Sequence, residues 1–166
     1  IFWIKSTNEE HYTPFSKLPL YVDQRMYMLK PKSGIDLSLA AVMNTHLISL
    51  VKEVEGRVNM GEGVLDTAVY EVPEYPVVDV STLEDEQRDT LVDHILGMNA
   101  DVTNVWDELG ADTYDEVEIE SVRPERRELD SILLTEILGL STEDQLEIYR
   151  GLLQLVHERL SKAQSV

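Results

Sequence analysis

Apolar and polar positions in the first half of the chain follow the periods of two strands and one helix. Residues 1–5 and Tyr21–Leu29 are rich in β-branched and aromatic side chains, which predicts a strand at each place. Apolar residues then recur at spacings of three and four, which predicts a helix that Asp36 caps and Gly56 ends. These residues are Leu39, Met43, Leu47, Leu50 and Val54.

The segment after this helix is predicted to be irregular. Residues 57–63 have the composition of a glycine-containing loop, and residues 64–78 are predicted to be extended. Pro73 and Pro76 have no backbone N–H to donate, so this segment is excluded from a central strand position.

The second half is predicted to be mostly helical. Ser81 and Glu84 have the spacing of a capping box, and the helix that follows them is predicted to end at Gly97. A short helix is predicted over residues 102–109. A half-buried strand is predicted over residues 117–119, where apolar residues alternate with glutamate.

Two further helices complete the pattern. Pro124 suits the first position of a helix that extends to Gly139, and a last helix is predicted to begin at Ser141. Its apolar positions step by three and four, as in a helix–helix seam: Leu146, Tyr149, Leu153, Val156 and Leu160. The predicted fold class is therefore α+β, with a small mixed α/β unit over residues 1–80 and an acidic, mainly helical part over residues 81–166.

Composition limits the classes of protein that the chain can belong to. Its 166 residues are 43% hydrophobic, which is enough for one folded domain and argues against disorder. The absence of cysteine excludes disulfide scaffolds, thiol catalysis and cysteine-based zinc sites. No apolar run approaches the ~18 residues of a membrane span, so we expect no membrane partner. The chain begins Ile-Phe-Trp without a leader, and we expect a piece of a longer cytoplasmic protein.

The charge is strongly acidic and unevenly distributed. The chain carries 14 basic and 32 acidic side chains, a net charge of −18. This indicates either an acidic interaction module or a halophilic proteome, and the small number of lysines favours the second. Residues 1–78 carry 7 basic and 10 acidic side chains, a net charge of −3, whereas residues 79–166 carry 7 and 22, a net charge of −15. A polyanionic partner is therefore expected to bind the first half.

Motifs of catalysis and of cofactor binding are missing from the sequence. The four histidines (His11, His46, His94 and His157) are isolated, so no metal site is expected. Gly61 and Gly63 lack the third glycine of a dinucleotide fingerprint and follow a predicted helix, not a strand. The sequence has neither a nucleophile elbow nor a P-loop. We therefore expect no catalytic residue, no cofactor and no metal in this chain.

The middle of the chain resembles a known family. The stretch runs from Asn44 to Leu50 at the end of a predicted helix, through the glycine turn of residues 56–65, to the Pro-Val segment of residues 72–79. It is similar to the C-terminal target-recognition region of adenine-specific DNA methyltransferases, including those of restriction–modification enzymes. Thr45 stands where that family usually has serine. The same stretch also resembles the recognition part of the specificity subunits of type I restriction enzymes, through Glu86 and Gln87 at a helix start.

The resemblance implies both a function and a missing part. Both families recognise DNA sequences. The methyltransferases carry an Asn/Asp-Pro-Pro-aromatic motif that holds the target adenine and a glycine-containing loop that binds S-adenosylmethionine. This chain contains no Pro-Pro pair. The resemblance therefore implies that catalysis and S-adenosylmethionine binding belong to a domain upstream of Ile1, and that this fragment is not itself an enzyme.

Candidate DNA contacts lie around the glycine turn. Arginine recognises guanine and asparagine recognises adenine by paired hydrogen bonds, so Arg57 and Asn59 suit contacts with base edges. Gly61 and Gly63 allow close approach of the backbone to a ligand. The alternative is structural: an arginine near a helix C-terminus, an asparagine in a turn, and glycines that the turn requires.

Candidate phosphate contacts are the other basic residues of the first half. Lys30 and Lys32 flank a proline in a loop, Lys52 lies near the end of the first helix, and Arg25 lies on the second predicted strand. The alternative is that these charges serve solubility and complement the helix dipole. Asn44 and His46 are expected to be packing residues.

The sequence leads to one principal hypothesis and one rival. The principal hypothesis is a DNA target-recognition part that holds double-stranded DNA while an upstream methyltransferase domain flips an adenine out of the helix. The rival is an acidic helical interaction module that docks onto its own catalytic domain or onto a partner subunit and makes no DNA contact. A free-standing hydrolase has no supporting motif.

Overall fold

The structure is a computed structural model that describes residues 1–32, 37–58, 63–98 and 101–164. The part of the chain that it describes contains five short strands, all of them in the first half. They are β1 (Phe2–Ile4), β2 (Ser6–Thr7), β3 (Met26–Met28), β4 (Arg57–Val58) and β5 (Leu65–Asp66). The α-helices of these residues are α1 (Leu37–Val42), α2 (His46–Glu55), α3 (Asp85–Gly97), α4 (Val105–Leu109), α5 (Pro124–Asp130) and α6 (Thr142–Gln164).

The strands form two small antiparallel sheets. In the first, β1 pairs with β3, and Phe2 lies opposite Met28. In the second, β5 lies between β2 and β4, so that Asp66 pairs with both Ser6 and Arg57. The two predicted strands are confirmed in part: only residues 2–4 and 26–28 of the predicted ranges form strands. The small sheets and the helical second half together confirm the α+β class.

The predicted helix that ends at Gly56 is divided into α1 and α2. The Asn44 amide donates to the carbonyl oxygens of Ala40 (2.8 Å) and Thr13 (2.9 Å), and its oxygen accepts from the Thr13 N–H. The Thr45 hydroxyl donates to the Val42 carbonyl oxygen at 2.8 Å. Because these side chains bond the backbone in place of the helical ladder, they interrupt the helix. The predicted cap, Asp36, lies outside the described residues.

Two predictions in the second half are wrong in detail. The capping box of α3 is formed by Glu84 and Gln87, because Ser81 belongs to a preceding 3₁₀ turn whose cap is Asp79. Residues 117–119, where a strand was expected, form none: residues 117–118 connect two 3₁₀ turns over residues 114–116 and 119–121, and residue 119 begins the second. There the Ser121 hydroxyl lies 2.7 Å from both the Leu109 and the Glu118 carbonyl oxygens, which bends the chain back onto the end of α4.

The remaining helix predictions agree well with the structure. Pro124 begins α5, and the helix continues as a π-helical segment over Ser131–Ile137 before Gly139 adopts a positive φ of 70°. The α6 seam is confirmed, since Tyr149, Leu153 and Val156 are fully buried.

Two hydrophobic clusters form the core. The first joins Trp3 of β1 to α1, α2, α3 and α5, so it draws side chains from both sides of residue 80. The second packs α4 and the 3₁₀ turns against α6 around Leu109, Val117 and Leu152. Helix α2 lies between them and packs along α6. Residues from both halves of the chain therefore share the first core cluster.

Candidate nucleic-acid interface

Three of the predicted phosphate contacts are exposed around the β1–β3 ribbon. Arg25 immediately precedes β3, where its carbonyl oxygen accepts from the Lys5 N–H at 2.9 Å. Lys30 and Lys32 follow the other end of β3, and both are exposed. They also line an apolar groove of about 480 Å³ whose walls include Trp3 and Tyr75. The ribbon therefore carries cations at both of its ends.

Arg57 is exposed but already has a partner. It lies on β4 with 59% of its side chain exposed, and its Nε is 2.9 Å from Glu71 Oε1. Its guanidinium also lies 6.0 Å from the centre of the Tyr70 ring, at the edge of cation–π range. Contact with a base edge would use the donors that Glu71 leaves free, or would displace Glu71.

The glycine turn is described only at its end. Asn59 and Gly61, both predicted to contact DNA, lie outside the described residues. Gly63 is buried, with φ at +65°, and a Cβ there would lie 3.1 Å from both Ala163 Cβ and Leu160 Cδ2. The left-handed backbone and the contact with α6 both require glycine at this position. This favours the structural interpretation of Gly63.

Lys52 requires a correction, because it is buried with only 2% of its surface exposed. Its Nζ lies 3.3 Å from Thr13 Oγ1 and 4.4 Å from the centre of the Trp3 ring. Burial lowers its pKa to about 7, and the positive charge of Arg126 contributes in the same direction. An ammonium held inside the core cannot reach a DNA phosphate, so Lys52 does not belong to the predicted interface.

Exposed cations without a carboxylate partner are concentrated in the first half. Among the described residues, five exposed basic side chains form no ion pair: Lys5, Lys17, Arg25, Lys30 and Lys32. In the second half, by contrast, carboxylates hold most of the basic side chains: Arg88, Arg123, Arg126, Arg150, Arg159 and Lys162. The cations free to bind an external anion are thus on the less acidic half.

A buried ionic network joins α2 to the second half. The backbone N–H of His46 donates to Asp130 Oδ1 at 2.8 Å, and His46 Nδ1 lies 2.6 Å from Asp130 Oδ2. The Tyr149 hydroxyl donates to Asp130 Oδ2 at 3.0 Å, and Glu108 Oε2 lies 3.3 Å from His46 Nε2. Burial by itself lowers the pKa of His46, but Asp130 and Glu108 outweigh it and raise the pKa to about 9. His46 is therefore a cation between two carboxylates at neutral pH.

A second buried ionic cluster connects α6 to α2 and to the glycine turn. The Arg159 guanidinium donates to both carboxylate oxygens of Glu53 (2.9 and 2.8 Å), to the Asn8 carbonyl oxygen (2.6 Å) and to the Gly63 carbonyl oxygen. His11 Nε2 lies 2.8 Å from Glu53 Oε1. Burial would raise the pKa of Glu53, but His11 and Arg159 outweigh it and lower the pKa. This cluster holds the end of the turn in place.

Sequence reasoning missed both clusters. His46 was expected to be a packing residue, which its burial confirms, but its ion pairs with Asp130 and Glu108 were not foreseen. His46 and Asp130 are 84 positions apart, and Glu53 and Arg159 are 106 apart. A buried carboxylate is rare unless it is paired. No local spacing, however, distinguishes these carboxylates among 32 acidic residues.

Searches for further site types and for similar proteins gave negative results. Within the described ranges, no group of three or more His, Asp or Glu side chains is placed to hold a metal ion. None of the helices in those ranges is both long and apolar enough to cross a bilayer. No protein-family model matches the chain, and no match is found among curated proteins or solved structures.

Proposed function

We propose that this chain is a DNA target-recognition part of an adenine-specific DNA methyltransferase of the restriction–modification type. In this proposal it grips double-stranded DNA while a catalytic domain elsewhere flips and methylates an adenine. The observation that carries the proposal is the placement of unpaired, exposed cations on the β1–β3 side of a protein whose net charge is −18.

The geometry of the ribbon suits phosphate contact. Arg25 lies at one end of β3, and Lys30 and Lys32 follow its other end, so exposed basic side chains flank the ribbon at both ends. Long basic side chains placed in this way suit contacts with successive phosphates of a duplex that lies across the ribbon. Arg57 lies on the other small sheet and supplies a planar donor set suited to guanine. The resemblance of residues 44–79 to the methyltransferase family supports the same function.

The acidic helices have a supporting role in this proposal. Helix α6 packs along α2, and its Arg159 holds the Gly63 carbonyl oxygen. DNA phosphates are repelled by the carboxylates of this half, which directs the duplex towards the sheet side. The helices therefore position the segment that follows Arg57 and do not themselves contact DNA.

The test is a salt titration of DNA binding, measured by fluorescence anisotropy with a labelled duplex. The double variant Lys30→Ala/Lys32→Ala is expected to bind more weakly, and its slope of log affinity against log salt is expected to be smaller by about two units. The matched control is Lys162→Ala, which removes an exposed lysine that pairs with Glu158 on the acidic half. That control is expected to match the unmodified chain or to bind only slightly more weakly, with an unchanged salt slope.

Two results would refute the proposal: no salt-dependent binding by the unmodified chain, or equal losses in the double variant and the control. The second candidate is a protein-interaction module. It is favoured by the apolar groove beside Lys30 and by exposed apolar side chains near it, including Val69 and Val77. Docking of a catalytic domain or partner subunit there would depend on apolar contact, so raising the salt concentration would not weaken it.

A further inference from the structure

Arg126 is a buried arginine whose hydrogen-bonding capacity is unused. It lies on α5 with 7% of its surface exposed, and its Nε and Nη2 have no hydrogen-bond partner among the described residues. The nearest carboxylate oxygen, Glu108 Oε1, is 3.5 Å from Nε, which is an ion-pair distance without a formed hydrogen bond. A buried guanidinium without acceptors is unfavourable, so an acceptor that the described residues do not supply is expected to complete it.

Arg126 lines a cavity that has room for such an acceptor. The cavity has a volume of about 350 Å³, within the range of small-molecule sites. Its polar lining includes Arg126, Glu108, Arg123 and Thr103. Its apolar lining includes Phe15, Ile95, Met98 and Val102. A ligand that suits this lining combines hydrogen-bond acceptors with an apolar body.

The charges buried around this cavity favour an anion. Three cations and two carboxylates lie within the protein here, each less than a tenth exposed: His46, Lys52, Arg126, Glu108 and Asp130. The group has one surplus positive charge whenever Lys52 is protonated. The Lys52 ammonium lies beside Thr13, which lines the cavity. A single negative charge bound at Arg126 would balance these five buried groups, whereas the more exposed lining residues Arg123, Glu125 and Asp101 together carry a net charge of −1 and disfavour a second negative charge.

The acidic residues that line the cavity favour a ligand with a single negative charge over one with two. Asp101 and Glu125 also line the cavity, and Glu125 Oε1 lies 2.6 Å from Arg123 Nη2. These carboxylates repel a doubly charged phosphate more strongly than a monoanion. A carboxylate also matches the planar, parallel donors of a guanidinium.

We propose that this cavity binds a small monocarboxylate with an apolar body, whose carboxylate accepts hydrogen bonds from Arg126. The proposal is independent of DNA binding, because the cavity lies among α3, α4 and α5 and the ligand is measured without DNA.

The test is isothermal titration calorimetry of the chain with benzoate, benzamide and inorganic phosphate. Benzoate is expected to bind saturably at one site. Benzamide has the same shape without the charge and is expected to bind at least about tenfold more weakly, which corresponds to ~1.4 kcal/mol. Phosphate is expected to bind more weakly than benzoate.

Variants connect the binding to this cavity. Arg126→Met keeps most of the side-chain volume, removes the donors and is expected to abolish benzoate binding. Arg150→Met is the matched control, since Arg150 also has a buried Nε without a hydrogen-bond partner but pairs with Glu147 on α6 and does not line the cavity; it is expected to bind benzoate normally. If Arg126→Met does not fold by circular dichroism, Val102→Trp replaces it. Val102 is 51% exposed, so a larger side chain there obstructs the cavity without entering the core.

Three results would overturn the proposal. They are the absence of saturable benzoate binding, equal affinity for benzoate and benzamide, and unchanged benzoate binding in a folded Arg126→Met or Val102→Trp variant.

Discussion

Arg159 and Arg126 are both buried arginines on helices of the second half, but their surroundings are opposite. Arg159, 4% exposed, donates to Glu53, Asn8 and the Gly63 carbonyl oxygen, so its donors join three separate segments. Arg126, 7% exposed, lies beside a cavity, and its Nε and Nη2 have no hydrogen-bond partner within the described residues. Equal burial of the same side chain therefore does not imply the same role.

The difference indicates which of the two buried charges is structural. A satisfied guanidinium stabilises the segments that supply its acceptors, and its removal leaves those acceptors buried and unpaired. A buried guanidinium whose donors lack acceptors has lost its hydration without gaining hydrogen bonds, so it is unfavourable in the folded state and remains available to a ligand. The comparison thus assigns Arg159 to the fold and Arg126 to binding, and the following predictions test that assignment.

Arg159→Met is expected to have the largest effect. It leaves the buried Glu53 carboxylate paired only with His11, and loss of a buried ion-pair partner typically costs about 3–5 kcal/mol of unfolding free energy. Urea denaturation followed by circular dichroism measures the change. The control, Arg150→Met, removes a surface pair and is expected to cost less than about 1 kcal/mol. Equal losses in the two variants would show that Arg159 does not join the segments as described.

The variant His46→Gln tests the buried ionic network to which Glu108 and Arg126 belong. Since the folded-state pKa of His46 is raised to about 9, its protonation stabilises the fold fully below pH ~6.5, and the stabilisation is lost as the pH rises through 9. The unfolding free energy of the variant is therefore expected to be ~3 kcal/mol lower than that of the wild type at pH 6, and this difference is expected to decrease towards pH 9. Urea midpoints measured across this pH range test it, with the exposed His157→Gln as the control. A gap independent of pH would contradict the prediction.

Arg126→Met is expected to lower the unfolding free energy by less than Arg159→Met does, because fewer side-chain hydrogen bonds are lost. Glu108 keeps His46 as a partner at 3.3 Å, so a loss of about 1–2 kcal/mol is expected. The same urea assay measures it without added ligand. Destabilisation as large as that of Arg159→Met would contradict the prediction, because it would show that both arginines have a structural role.

Lys52→Met is expected to have the smallest effect near pH 6, with a sign that depends on pH. The folded-state pKa of Lys52 is depressed to about 7, so the unfolded chain binds more protons between pH 7 and 10.5 and wild-type stability rises over that interval. Below pH 7 the variant avoids burying a charge but loses the cation–π contact with Trp3, for a net gain of about 1 kcal/mol. Because wild-type stability rises by about 1.4 kcal/mol per pH unit above pH 7, that gain is expected to become a loss of about 3 kcal/mol by pH 10. A stability difference constant from pH 6 to 10 would mean that Lys52 is not titrating in the core.

Local sequence signals predicted most of the secondary structure. The periodic spacing of α6, Pro124 at the start of α5 and Gly110 after α4 were recognisable because each acts within a few residues. The same reasoning failed at residues 117–119, since a two-residue alternation does not distinguish a strand from the 3₁₀ turns that Ser121 closes. The sequence pattern also did not predict that the first helix is divided into α1 and α2, because the division depends on a hydrogen bond between Asn44 and Thr13, which are 31 positions apart.

The candidate site residues, too, could be predicted only in part from the sequence. The sequence alone determined that the first half is far less acidic than the second, with a net charge of −3 against −15, since charge can be counted without knowing the fold. Only the tertiary structure decided that Lys52 is buried whereas Lys30 and Lys32 are exposed. Only the structure separated Arg159 from Arg126, because the acceptors of a guanidinium are carbonyl and carboxylate oxygens that packing brings from distant segments. Helix propensity and charge are properties of neighbouring residues, whereas desolvation and the pairing of buried charges depend on which segments meet in the core.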